Sequence, residues 1–276
     1  MWTWDTQSIT EISQYENNLI LKQPDYITKK YRFSLIGEKE IDTTLKLLLD
    51  YAEKELGEAA IYLVPNNTIR FITDPNHFLI TEDRNNYDYI LSTQVLSSMV
   101  GNRLRGKRNF INRFNRNYGK DIRNEVLDLS VSNTQKGIKE LFTTWEKSRK
   151  KRREETENEF KAIMRFIEYI KYFPDLITLG IYYKNKLIGF TMNEISWDGY
   201  SLIHYEKADS NYIGIFEYLM QQTAIYLENK GCDYINYEQD FGIEGLRKAK
   251  NAYNPVDFLK KFTVTTNINN LNNVHI

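Results

Sequence analysis

The sequence predicts an α/β fold of two lobes, each a mixed, mostly antiparallel twisted sheet flanked by helices. One lobe is expected over residues 1–132 and the other over residues 133–276. Three observations support this. Short segments rich in β-branched and aromatic residues alternate with longer segments of helical period along the chain. In the last third, DLITLGIYY, KLIGFTMNEIS and GYSLIHYEKA are separated only by tight KN and WDG turns, which makes them an antiparallel meander. An amphipathic helix, a short strand, another helix and a final strand near KKFTVTT then follow in order.

The elements read as follows. Leu45, Leu48, Leu49, Ala52 and Leu56 share one stripe of a helix that stops at Gly57. AAIYLVP, IRFITD, HFLITED and YDYILS read as strands between Pro, Asn and Asp turns. One helix is expected from about Thr93 to Tyr118, then a strand at NEVLDLSV and two helices between Asn133 and Phe173. Around the run KSRKKRREETENE these helices expose a charged face with Glu/Arg pairs at helical spacing. A helix from Ile213 to Asn229 ends at Lys230-Gly231, and CDYINYE and the helix from Ile243 to Asn251 complete the set. The first half offers comparable pieces, without a clear internal repeat.

Composition narrows the function classes. In 276 residues, Lys+Arg and Asp+Glu number 37 each, which disfavours a globally basic nucleic-acid binder but leaves room for local basic patches. The single cysteine, Cys232, excludes an intramolecular disulfide and reads as a small apolar filler in a reducing compartment. No basic-then-apolar leader opens the sequence, and no apolar run approaches the ~18 residues of a membrane span. A cytoplasmic location is therefore expected. His77, His204 and His275 lie far apart, so no metal site is legible.

Three segments carry candidate chemistry. The first is VGNRLRGKRNFINRFNRNYG, whose apolar stripe contains Lys107 beside a face carrying Arg105, Arg108, Asn112 and Arg116. Lys107 either snorkels past the core or points into a cleft to bind an anion, with Arg108 as a second anion contact. The second is SLIHYEKAD, where period-two alternation would set His204 and Glu206 on one face and Tyr205 and Lys207 on the other. Glu206, on an apolar central strand, is either a general base with a raised pKa or one half of a salt bridge.

The third is NYEQDFGIEGLRKAK. Asn236, Glu238 and Asp240 alternate on a strand end, and Gly242 and Gly245 flank the start of a helix carrying Arg247 and Lys250. Such a turn is either a tight corner or a place where backbone N–H groups hold an oxyanion or phosphate. With Glu194, Glu206, Glu238 and Asp240 on adjoining strands of one small sheet, the carboxylates would recognise a cationic group such as an amine if they converge. Tyr253 is either a general acid or a buried phenol bonded to backbone.

The element order suits a Gcn5-related acyltransferase core. Taken together, GKRNFINRFNRNYG, HYEKAD and NYEQDFGIEGLRKAKNAYNP, in that order, resemble the family of the phosphatidylglycerol lysyltransferase C-terminal domain over roughly residues 83–264. The resemblance implies two acyltransferase-like lobes in tandem. It also implies an aminoacyl or acyl group moved from an activated carrier, aminoacyl-tRNA or acyl-CoA, to a small-molecule or lipid head-group acceptor.

On that basis Glu206, Asp240 and Tyr253 are the expected catalytic groups. Glu194, His204, Asn236, Glu238, Gly242, Gly245, Arg247, Lys250, Lys107 and Arg108 are the expected substrate contacts. The family's best-studied relatives are usually fused to a long membrane-embedded region, and these residues contain no such region. The segment NYIGIF departs from the pyrophosphate turn of ordinary acetyltransferases, with Asn211 at the basic position and bulky Phe216 at the last small one. That departure counts against acetyl-CoA. A non-catalytic module binding tRNA or a small ligand is the further alternative.

Overall fold

The computed structural model describes residues 9–25, 28–148 and 153–267. Residues 149–152 of the charge run and His275 lie outside them. In chain order the strands are β1 (Glu11–Tyr15), β2 (Asn18–Pro24), β3 (Tyr31–Ile36), β4 (Ala60–Pro65), β5 (Phe78–Glu82), β6 (Asp88–Ser92) and β7 (Ile122–Val126). They continue with β8 (Leu176–Tyr183), β9 (Lys186–Ile195), β10 (Tyr200–Ala208), β11 (Tyr234–Asn236), β12 (Asp257–Leu259) and β13 (Lys261–Thr266). The helices are α1 (Ile41–Leu56), α2 (Asn66–Ile69), α3 (Thr93–Ser98), α4 (Arg105–Tyr118), α5 (Ser132–Lys147), α6 (Arg153–Tyr169), α7 (Ile215–Asn229) and α8 (Glu244–Asn251).

The described residues form two compact units. One comprises Tyr89–Glu238 and Ile243–Phe258; the other comprises residues 9–88, Gln239–Gly242 and residues 259–267. The second unit carries a six-stranded sheet in the order β1-β2-β3-β4-β13-β5. Its core packs Leu45, Leu48, Leu49 and Ala52 of α1 against Phe33, Leu35, Ile61 and Val264. Helix α1 begins four residues before its predicted start and ends on Gly57 in the left-handed region (φ 72°), as its glycine stop requires.

The first unit carries a seven-stranded sheet in the order β12-β6-β11-β10-β9-β8-β7. The meander β8-β9-β10 is antiparallel as predicted. Its first turn uses Lys184 and Asn185, both at positive φ, the geometry that a two-residue hairpin of native twist needs. One face packs Ile188, Ile203 and Ile235 against α3, α4 and α7. The other packs Phe190, Met192 and Tyr205 against Phe142 and Trp145 of α5 and Phe166 of α6. Each such fully buried side chain contributes roughly 1.5–3 kcal/mol.

Three expectations change. IRFITD does not form a strand. It passes from α2 into turns, with Ile69, Phe71 and Ile72 packed on the core of their unit. The helix expected over Thr93–Tyr118 breaks into α3 and α4, because Met99 (φ 51°) and Gly101 (φ 95°) leave helical backbone. The final strand, β13, pairs with β4 and β5 and so belongs to the six-stranded sheet, while β6 joins the seven-stranded one.

Candidate active site

Strands β10 and β11 run parallel only over Tyr200–Leu202 and Tyr234–Asn236. Beyond that point β10 continues to Ala208, whereas the chain after Asn236 follows β6. The Tyr237 N–H donates to Tyr89 O at 2.8 Å and the Tyr89 N–H to Glu238 O at 3.2 Å. The central sheet therefore splits, and the side chains of β10 past residue 202 border the split.

A β-bulge interrupts the β9–β10 register between Ile203 and Tyr205. It inserts one residue, so Ile203 enters the core under α7 while Tyr205 enters the core under α5 and α6. The rings of His204 and Tyr205 both lie 6.3 Å from that of Phe166 on α6. Glu206 pairs in register with Thr191, whose hydroxyl meets Thr223 of α7. The face shared by His204 and Glu206 in a regular strand is thus lost. The carboxylates expected to converge are divided between two sides of the sheet.

On the α5/α6 side, His204 lies between two carboxylates. Its Nε2 is 2.9 Å from Glu194 Oε2 and its Nδ1 is 3.1 Å from Glu238 Oε1. Burial pulls the imidazole pKa down, but both hydrogen bonds and both charges overcome it and lift the pKa to about 9. The hydrogen bond from His204 in turn holds Glu194 below the ordinary carboxylate value. The trio places one imidazole between two half-exposed carboxylates. Asn236 positions it: its Oδ1 accepts the Glu238 N–H at 2.8 Å and steadies the left-handed backbone of Glu238 (φ 56°).

On the α7 side, the Glu206 carboxyl accepts a hydrogen bond from the Tyr237 hydroxyl at Oε2. Its Oε1 is out of reach of solvent and unpartnered. Burial raises the Glu206 pKa against the Tyr237 bond and the charges of Lys207, Lys250 and Lys107. Tyr253 is buried with its ring edge-to-face on Tyr237 at 5.9 Å. Burial pushes both phenols well above their ordinary pKa, so both keep their protons at neutral pH.

Lys107 sits 4.1 Å from the Tyr253 ring centre and pairs with Glu217 of α7 at 3.2 Å. Lys250, buried, donates to the Tyr237 carbonyl and lies 4.1 Å from the centre of its ring. Sequence reading missed Tyr237 and Glu217. Tyr237 lies one residue from Glu238 and hence on the other side of the strand, and only the β10–β11 register brings it to Glu206.

The remaining expected residues serve their own surroundings. Arg108 donates to the carbonyls of Met99 and Gly101 at the break between α3 and α4. Asp240, fully buried, is counted with the second unit. There its Oδ2 meets Arg84 at 3.4 Å and its Oδ1 accepts the Gly242 N–H at 2.8 Å. Gly242 (φ 74°) makes that turn, and a β-carbon on it would press on Asn85 at 3.0 Å. Gly245 is exposed on the first turn of α8, and Arg247 is half-buried on the same helix.

At the N-terminus of α7, Gly214 lies against α4. A β-carbon on Gly214 (φ 91°) would lie 2.3 Å from the Phe110 carbonyl oxygen, so α4 backbone covers this helix start. In the preceding loop the buried Asp209 carboxylate accepts the Asn211 N–H at 3.1 Å and pairs with Lys186 at 3.1 Å.

A family model described as "Phosphatidylglycerol lysyltransferase, C-terminal" matches residues 1–265. The chain belongs to that family. Within it, the fold class is that of tandem Gcn5-related acyltransferases. A conserved protein of unknown function from Bacteroides thetaiotaomicron superposes with a TM-score of 0.79 at 23% identity, over 96% of this chain and 88% of that one. The structure of L-PGS from Bacillus licheniformis superposes with a TM-score of 0.62 at 14% identity, over 93% and 83%. An uncharacterised protein of Mycoplasmoides gallisepticum is 24% identical over 192 residues, 67% of this chain. The match spans 58% of that curated relative's length. Among the described residues, no helix is long and apolar enough to cross a membrane.

Proposed function

We propose that this member of the phosphatidylglycerol lysyltransferase C-terminal family is an aminoacyltransferase whose chemistry centres on Glu206. The observation carrying this reading is the Glu206 carboxyl itself. It borders the split between β10 and β11, bonded by the buried Tyr237 hydroxyl, with Lys107 and Lys250 on the same side. Burial raises its pKa and so makes the carboxylate a stronger base than an ordinary one.

In the proposed reaction, an acceptor hydroxyl or amine attacks the carbonyl of an amino acid esterified to its carrier. The new C–O or C–N bond forms as the acceptor's proton passes to Glu206. The carrier's C–O bond then breaks, and the leaving oxygen takes that proton back from Glu206, so the proton count closes. Lys107 and Lys250 favour the negative charge that develops on the carbonyl oxygen. Glu194 and Glu238, on the other side of the split, hold the cationic ammonium of the aminoacyl group, with His204 fixing both carboxylates.

An aminoacyl-tRNA donor fits this reading better than acyl-CoA, because the Phe110 carbonyl packs against Gly214 at the start of α7. The test is to incubate the protein with tRNA carrying labelled amino acids, together with lipid vesicles or small amines, and in parallel with labelled acetyl-CoA. Label should leave the tRNA for the acceptor and should not leave acetyl-CoA. Transfer of acetyl alone would overturn the proposal.

A further inference from the structure

Beside Glu206, the α7-facing side of β9 and β10 carries a line of polar side chains that the proposed chemistry does not use. Glu206 and Thr191 are partners in register, as are Ile203 and Asn193, and Ser201 follows two residues before Ile203 on the same face. Thr191, Asn193, Ser201 and Thr223 are all fully buried. The Asn193 amide donates to Thr191 Oγ1 at 3.0 Å, and Thr191 Oγ1 meets Thr223 Oγ1 at 3.0 Å.

Three oxygens along this line have no hydrogen-bond partner: Glu206 Oε1, Asn193 Oδ1 and Ser201 Oγ. A single buried orphan can be a local irregularity, since nearly all buried polar groups find partners. Three on one face of two paired strands point to occupants that donate and accept. Exchanging the ends of the Asn193 amide does not remove the need, because one end would still be orphaned. Asn193 and Ser201 are diagonal cross-strand neighbours, about 7–8 Å apart at the backbone and less at the side chains, a span that one bridging molecule closes.

We propose that this face binds internal water, with one molecule bridging Asn193 Oδ1 and Ser201 Oγ and another on Glu206 Oε1. The water gives Glu206 the partner that Tyr237 and the lysines leave out. The inference does not depend on which reaction the protein catalyses.

A crystal structure of the full chain that resolves ordered water tests it directly. Density for water hydrogen-bonded to Asn193 and Ser201 is expected. Unfolding of Ser201→Ala is the second measurement. Loss of a hydrated hydroxyl should lower Tm by about 2–4 °C, whereas removal of a dry orphan should raise it. A dry seam in the crystal, or a Ser201→Ala Tm at or above that of the wild type, overturns the proposal.

Discussion

His204 and Glu206, two residues apart on β10, face opposite sides of the sheet because the bulge between Ile203 and Tyr205 absorbs one step of the alternation. His204 reaches Glu194 and Glu238 on one side, and Glu206 reaches Tyr237 on the other. A single strand thus supplies the His204–Glu194–Glu238 trio to one side of the sheet and the Glu206 carboxyl to the other.

The trio makes stability depend on pH. His204 has a folded pKa of about 9, above its ordinary 6.5, so its contribution is complete below about pH 6.5 and is lost as pH rises through about 9. Thermal unfolding of wild type and His204→Gln should therefore differ most at pH 6 and converge by about pH 10. A difference that stays constant over that range contradicts the bracketed, protonated imidazole.

Tyr237 should tune Glu206. In Tyr237→Phe the carboxylate loses a donor that favours its charged form, so its already raised pKa rises further. The acid limb of the rate–pH profile should move to higher pH, with turnover about 10–100-fold lower at neutral pH. A profile of unchanged shape would mean that Tyr237 only fills space.

Gly214 should tolerate no side chain. Its φ of 91° and the Phe110 carbonyl 2.3 Å from the position of a β-carbon make Gly214→Ala both strained and crowded. The strained φ alone is worth about 1–3 kcal/mol, so denaturant unfolding should show at least that loss. A neutral substitution would show that α4 does not seal this helix start.

The same seal predicts the response to acetyl-CoA. With Phe110 over Gly214 and Asp209 in the loop, acetyl-CoA should leave Tm unchanged at concentrations that stabilise a coenzyme-A-dependent relative. Saturable stabilisation would return the acyl-CoA donor to consideration.

Much of this was legible from local pattern. The meander, α7 with its Lys230-Gly231 stop, and α8 follow from periodicity and turn residues, which act within a few positions. Features set by distant pairing were not legible. The insertion of β13 between β4 and β5, the departure of Tyr237 toward β6, and the bulge at His204 depend on partners that one segment does not specify. The residues Glu194, His204, Glu206, Glu238, Lys107, Lys250 and Tyr253 were all singled out in the sequence. Their division into two groups was not, because strict alternation assigns His204 and Glu206 to the same face.

In the proposed reaction Glu206 accepts the acceptor's proton, and Glu206→Gln removes that capacity. Gln keeps the shape and a hydrogen bond to Tyr237 but cannot take a proton. With circular dichroism and Tm matching the wild type, transfer of label from charged tRNA should fall at least about 100-fold. Turnover equal to the wild type in a folded Glu206→Gln protein would contradict the account.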